Sequence, residues 1–120
     1  MSKLTASAAE SWMASHGHVS HDTIDCSHFV VAVLHASEAP GFRYITADQF
    51  PSSPSFYRVD NPEAGDLVHW PGHIAVVLDP AAGTFIGSQN STGVDKANYK
   101  TNPYWSGRTH RTYLRFSGNH

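Results

Sequence analysis

The sequence contains a single cysteine, at position 26 of its 120 residues. An internal disulfide is therefore excluded, so stability must come from packing and the thiol is free for chemistry. No apolar run approaches the length of a membrane span, and we expect no membrane insertion. Charged residues make up 15% of the chain and the formal net charge is −2, which argues against nucleic acid or an anionic membrane as a partner.

The composition is that of an ordinary globular protein, with 40% hydrophobic and 12% aromatic residues. A chain of this length supports one modest core, so residues 1–120 are expected to form one domain. The N-terminal stretch "MSKLTASAAESWM" lacks the apolar segment of a secretory signal peptide. We therefore expect a protein that stays soluble or leaves the cell by a route without a cleaved signal.

Two helices are predicted in the first third of the chain. Residues 4–14 are rich in alanine, and Leu4, Ala8 and Trp12 fall on one helical face. Residues 26–36 have the apolar spacing of a helix that packs on a sheet. The histidine-rich segment between the two helices has no apolar period and is predicted to be a loop.

Strands dominate the rest of the predicted fold. Residues 40–64 contain several prolines and serines, which indicates an irregular connection with one helical turn near Ala47. The β-branched and aromatic patterns predict four strands, the last of them at an edge of the sheet: "GDLVHW", "PGHIAVVLD", "TFIGSQ" and "RTYLRF". The fold class is therefore α+β, with N-terminal helices packed on one side of a central antiparallel sheet.

Cys26 is placed at the first turn of the second predicted helix, in "TIDCSHFVVAV". Asp25 or Thr23 is expected to cap this helix. The helix dipole and the free N–H groups at a helix start favour a thiolate, and the same groups can accept an oxyanion. This pattern favours a nucleophile, although a free cysteine packed as a small apolar residue is the common alternative.

A nucleophile of this kind needs a base, and His73 is the preferred candidate among nine histidines. It opens a strongly β-forming strand, where a rigid sheet can fix its ring; His69 is next in line. If Leu78 pairs with Thr84 across the hairpin, His73 pairs with Gln89 and shares a sheet face with it. Gln89 is therefore the preferred orienting group, and the alternatives left open are Ser88, Asn90 and a backbone carbonyl, because a one-residue slip would exchange the two faces.

Three segments resemble the NlpC/P60 papain-like cysteine peptidases, which cut peptidoglycan stem peptides. They are "DCSHFV", "PEAGDLVHW" and "GHIAVVLD", in the order and spacing of the family's nucleophile segment and its two following strands. The resemblance implies a papain-like fold with Cys26 as nucleophile and His73 as base. It also implies hydrolysis of an amide bond in the stem peptide, with the bond between D-glutamate and the diamino acid as the first choice, and no cofactor.

The chain departs from the family pattern at three places. His28 stands where the family usually has glycine, and "SHGHVSH" replaces the Tyr-x-Trp-Gly-Gly segment before the cysteine. Where many members have a third catalytic histidine, Gly87 is the nearest residue and cannot orient a ring, so Gln89, Ser88, Asn90 or a backbone carbonyl must take that part. Around the catalytic residues, the side chains expected to line the substrate site are Asp25, Ser27, Trp70 and Ser88, although a capping role is the preferred one for Asp25.

Within the superfamily, the small size and the tail "GSQNSTGV" followed by "YW" and "YLRF" look most like amidase effectors of the type VI secretion system. Phage-type CHAP amidases also resemble the region around His73. The effector resemblance implies action in the periplasm of a target bacterium and an immunity protein as partner.

Other readings of the sequence remain open. His16, His18, His21 and Asp22 are all metal-ligand types, but their spacing is not that of a common zinc site. Aromatic residues could form a sugar or peptide groove, with core packing at least as good an explanation; they are Trp70, Tyr99, Tyr104 and Trp105. A protein-directed transamidase or deamidase would use the same pair of Cys26 and His73. A non-catalytic module would not need this pair.

Overall fold

The fold is described from a computed structural model, which covers residues 2–117. Within these residues, three helices and six strands follow one another, with a 3₁₀ helix, Ala47–Ser52, between α2 and β1. In chain order they are α1 Ser2–His16, α2 Cys26–His35, β1 Phe56–Val59, β2 Leu67–Trp70, β3 His73–Asp79, β4 Thr84–Gln89, β5 Gly93–Asn98, α3 Pro103–Ser106 and β6 Thr112–Phe116. No helix within this part of the chain is long and apolar enough to cross a bilayer.

The strands form one antiparallel sheet in the order β1-β6-β2-β3-β4-β5. The expected edge position of the last strand is wrong, because β6 pairs with β1 on one side and β2 on the other. Leu114 at its centre is buried, as an interior strand requires. The two edge strands are β1 and β5. β1 lies in the proline-rich segment for which the sequence predicts an irregular connection, and the sequence does not predict β5.

Side chains of the sheet alternate between two cores. Ile74 and Val76 belong to the larger core, which includes most of the buried face of α2. Ala75 and Val77 point the other way, into a smaller aromatic core that includes Trp105 of α3. The two long helices therefore cover one face, as predicted, while α3 covers part of the other face.

The first predicted helix is confirmed, but Leu4, one of the three residues of its predicted apolar face, is not buried. Leu4 is 56% exposed, whereas Thr5 and Ala9 are fully buried. Trp12 is half-buried and packs edge-on against Phe29 of α2 at 5.2 Å between ring centroids. Small residues on α1 allow the two helices to lie close together, and the larger Leu4 is left at the rim.

Candidate functional site

The start of α2 is fixed by Asp25, the predicted N-cap. One oxygen of its carboxylate accepts hydrogen bonds from the backbone N–H and the ring Nδ1 of His28, at 2.9 and 2.7 Å, and from the hydroxyl of Ser27 at 3.0 Å. Burial acts to raise the pKa of Asp25, but these hydrogen bonds outweigh it and hold the pKa below its usual value. The carboxylate therefore stays ionised and holds Cys26 at the first helical position.

Cys26 is a free thiol, and only 7% of the residue is exposed. Burial raises the pKa of this thiol, although a hydrogen bond from the backbone of Ile74 favours the thiolate. Desolvation outweighs the helix N–H groups here, so burial opposes the activation that the helix start is expected to give. At neutral pH the sulfur carries its proton.

His73 opens β3, as predicted, and is held between aromatic rings. Its ring centroid lies 5.1 Å from that of Trp105 and 5.7 Å from that of Trp70. Burial lowers the pKa of His73 to about 4, and the positive charge of Arg108 adds to this effect. The imidazole is therefore neutral at pH 7 and has the protonation state that a general base needs.

Gln89 lies beside His73, as the predicted register requires. The pairs Val76–Ile86 and Val77–Phe85 follow that register, while a bulge at Leu78 pairs Asp79 with Thr84 instead of the expected Leu78. Because the irregularity lies at the hairpin end, it leaves the other end of the two strands in the expected alignment. A hydrogen bond with Gln89 accordingly acts to raise the pKa of His73, against the larger effect of burial.

The facing polar atoms of His73 and Gln89 are complementary. Within residues 2–117, His73 Nε2 and Gln89 Oε1 are the two buried side-chain polar atoms without a partner of full hydrogen-bond geometry. The amide nitrogen of Gln89 donates to the carbonyl of Asp95 at 3.0 Å, which leaves Oε1 as the atom free to accept. An N–H at Nε2 would therefore be directed to Oε1, and the other ring nitrogen would be left to take a proton.

The sulfur and the imidazole lie at the same end of β3. The backbone of Ile74, the residue that directly follows His73, is near enough to the Cys26 sulfur to act on its pKa. Cys26 itself does not line the neighbouring cavity, which has a volume of about 560 Å³ and is lined by His73 and Gln89. His73 and Gln89 therefore share one cavity, while Cys26 lies outside its lining.

The other predicted substrate contacts are turned inward. Ser27 is buried and shares hydrogen bonds with Asp25 and with the Tyr44 hydroxyl at 2.6 Å. Ser88 is fully buried and donates to the carbonyl of Ile24 at 2.5 Å. Trp70 is fully buried, and its ring nitrogen donates to the carbonyl of Arg108 at 3.1 Å. All three side chains are held inside the fold and none lines the cavity, so their contact with a substrate stays a prediction.

The cavity also contains residues that the sequence did not single out. Arg108 and Asn102 line it. Tyr104 and Trp105 line it as well; the sequence indicates them only as aromatic residues of a groove or of the core. Asn102 caps α3 and accepts from the backbone of Tyr104 at 2.9 Å. The run "NPYWSG" is a helix-start signal that could have placed these aromatics on a short helix, but not against His73.

The alternative chemistries have less support in the geometry. His69, the second choice of base, bonds through Nε2 to Asp48 at 2.9 Å. His16 and His18 each donate to a backbone carbonyl, of Trp12 and Val94 respectively. Across the described range, 2–117, no group of three or more His, Cys, Asp or Glu side chains is arranged to hold a metal ion.

Comparison with known proteins adds no relative: no family model matches the sequence, and no curated protein matches it.

Proposed function

We propose that the protein is a cysteine amidase of the NlpC/P60 type that hydrolyses an amide bond in the peptidoglycan stem peptide. The observation that supports the proposal is that three suitable groups belong to, or neighbour, the start of β3. The backbone of Ile74 acts on the Cys26 sulfur, and His73 is the residue directly before Ile74, at the start of β3. Gln89 has an unsatisfied oxygen and acts on the imidazole as a hydrogen-bond partner. Nucleophile, base and orienting acceptor are the parts that covalent amide hydrolysis requires.

The protonation states favour a mechanism that starts from a neutral pair. As the Cys26 sulfur attacks the amide carbon, its proton passes to His73, and the carbonyl electrons move onto oxygen. The backbone N–H groups of Cys26 and Ser27, which the Asp25 cap does not use, stabilise that oxyanion. The imidazolium, steadied by Gln89, then protonates the leaving amine and a thioester remains. Water, deprotonated by His73, releases the acid and restores the thiol.

The substrate and setting come from the sequence resemblance. The family's usual target, the bond between D-glutamate and the diamino acid, is the first bond to test. Likeness to type VI secretion effectors extends the proposal to a toxin that acts in the periplasm of a rival bacterium and is neutralised by an immunity protein. No step of the proposed reaction calls on a cofactor.

A digest of purified muropeptides tests the proposal. The parent protein should release fragments whose masses identify the cleaved bond, and Cys26→Ala and His73→Ala should each lower the rate by about a thousandfold or more. Ser117→Ala, far along the chain from the site, serves as the matched control. Cleavage by the alanine variants at the parent rate would remove the assignment, and deamidation or transfer to an added amine would identify the alternative transamidase chemistry.

A further inference from the structure

The cavity beside His73 has an unbalanced set of charges. Two cationic residues line it, Lys96 and Arg108, and no aspartate or glutamate is among its lining residues. Lys96 is balanced by Glu10 of α1, with 3.4 Å between the charged atoms. Arg108 forms no ion pair with any residue of the described range 2–117, so its charge is the one left uncompensated at the cavity.

The Arg108 guanidinium is held in place by groups that do not neutralise it. One terminal nitrogen donates to the carbonyl of Pro71 at 2.8 Å. The guanidinium carbon lies 5.4 Å from the Trp105 ring centroid and 5.7 Å from that of Tyr104. Because the planar group is already oriented, its other N–H donors can meet a carboxylate without a large loss of side-chain entropy.

Arg108 is also close to the proposed reaction centre. Its charge is the strongest influence after burial on the pKa of His73. The Pro71 carbonyl to which it donates lies two residues before His73, in the turn between β2 and β3. An anion bound to Arg108 would therefore lie next to the imidazole. A negatively charged group of the substrate that neighbours the reacting amide could occupy this position.

Neutral donors complete this wall of the cavity. Asn102 lines it, and because its side-chain oxygen is engaged by the Tyr104 backbone, its amide N–H groups are the part left for a ligand. Asn90, Ser91 and Thr92 contribute further neutral polar side chains from the β4–β5 turn. A fixed cation among neutral donors is an arrangement that selects an anionic oxygen ligand.

We propose that the cavity is a carboxylate-binding subsite, in which Arg108 receives a carboxylate that the substrate peptide carries beside the amide to be cut. The inference rests on the proposed function, since it names the chemistry of that substrate. A D-glutamyl residue joined through its side-chain carboxyl keeps a free carboxylate next to the scissile amide. The site should therefore prefer peptides with this carboxylate free over peptides in which it is amidated.

Binding to a variant that cannot turn over tests the inference. In the Cys26→Ala background, NMR titrations compare L-alanyl-γ-D-glutamyl-L-lysine carboxamide with the same peptide bearing a D-glutamyl carboxamide. The free carboxylate should bind about tenfold or more tightly, as expected for a charge-assisted pair. Arg108→Gln should remove this preference, whereas Arg58→Gln, an equal loss of charge at an exposed position on β1, should keep it.

Two outcomes would overturn the carboxylate subsite: equal affinity of the two peptides in the Cys26→Ala protein, or a preference that survives in a folded Arg108→Gln variant. The comparison of the two peptides in the Cys26→Ala protein needs no substitution of Arg108. It therefore tests the subsite even if the Arg108→Gln variant fails to fold. Failure of the proposed function is distinguished by the muropeptide digest, in which an inactive parent that still prefers the carboxylate would contradict hydrolysis and support the subsite.

Discussion

Gln89 acts to raise the pKa of His73 against the larger effect of burial, and it does so as a neutral acceptor, because its amide nitrogen is held by the carbonyl of Asp95. Replacing that neutral acceptor with a carboxylate, Gln89→Glu, should raise the pKa of His73, because a nearby negative charge stabilises the imidazolium. The usual size of this effect is about 1–3 pKa units. The acidic limb of the profile of kcat/KM against pH should move upward by about one unit or more.

The matched control for this prediction is Gln49→Glu. Gln49 accepts a hydrogen bond from the backbone of Thr46 in a capping box, where glutamate serves as well as glutamine. The variant adds the same charge without a carboxylate beside His73. An acidic limb that stays in place in Gln89→Glu would contradict the assignment of Gln89 as the partner of the base.

The Cys26 thiol should be a slow target for alkylation in the folded protein. Burial raises its pKa and only 7% of the residue is exposed, so both the thiolate fraction and the access of reagent are low. Labelling by iodoacetamide at pH 7 should be about tenfold or more slower than that of glutathione, and should become comparable in denaturant. Rapid labelling of the native protein would contradict the buried, protonated state.

At the scale of elements, Gly87 on β4 makes room for the orienting side chain. A Cβ built at this glycine would lie 2.8 Å from Gln89 Oε1 and 2.9 Å from the Cβ of Ala75 on β3. Gly87→Ala should therefore displace the Gln89 amide and strain the β3–β4 contact. We expect a loss of about 1–3 kcal/mol in the free energy of unfolding, measured in urea, and a lower kcat, since overpacking in a sealed site has this cost.

Gly107→Ala provides the comparison, because the nearest atom to its added Cβ is the Pro103 carbonyl oxygen at 3.2 Å. It should change stability less than Gly87→Ala does. Equal stability of the Gly87→Ala variant and the parent would show that the strand can shift, and would remove the packing reason for glycine at this position.

Elements with local signals were predictable from the sequence. The α2 helix has an aspartate cap and regular apolar spacing, and β3 and β4 have apolar strand patterns, so Cys26, His73 and Gln89 could be placed on their elements. The β5 strand is different: "GVDKAN" has little apolar alternation, and its ladder with β4 and the bond from Val94 to the Val19 carbonyl hold it in place. Long-range pairings of this kind leave no local pattern.

The position of β6 inside the sheet follows from the same limit. Its apolar pattern predicts a strand but says nothing about the neighbours that pair with it. Arg115 on this strand makes two hydrogen bonds, at 2.9 and 2.8 Å, to the buried carboxylate of Asp66 in the turn before β2. The pair ties this interior strand to the segment that leads into β2, and only the assembled sheet reveals it.

For the molecule as a whole, the site lies where the two cores meet. The Cys26 sulfur belongs to the core between the helices and the sheet, while His73 contacts Trp70 and Trp105 of the aromatic core on the other face. The proposed dyad would therefore join groups from opposite faces of the sheet at one end of β3. Folding of both cores is needed to assemble it, so a local unfolding of either face should abolish activity before the whole chain unfolds.

Burial of the neutral imidazole makes the stability of the whole protein depend on pH. Burial, with the charge of Arg108, lowers the pKa of His73 from 6.5 to about 4 in the folded state. Between these two values the unfolded chain binds the proton more tightly, so acid favours unfolding. The contribution of His73 is complete above pH 6.5 and is lost as the pH falls toward 4, with a total on the order of 3 kcal/mol.

Urea unfolding of the parent and of His73→Gln at a series of pH values isolates this contribution from that of the other histidines. Glutamine at this position has no proton to gain, so the parent should lose about 2 kcal/mol more than the variant between pH 7 and pH 5. Since the other titrating groups are shared by both proteins, their effects cancel in the difference. Parallel curves for the two proteins would mean that His73 titrates in the folded state as it does in the unfolded chain, which would contradict its burial as a neutral base.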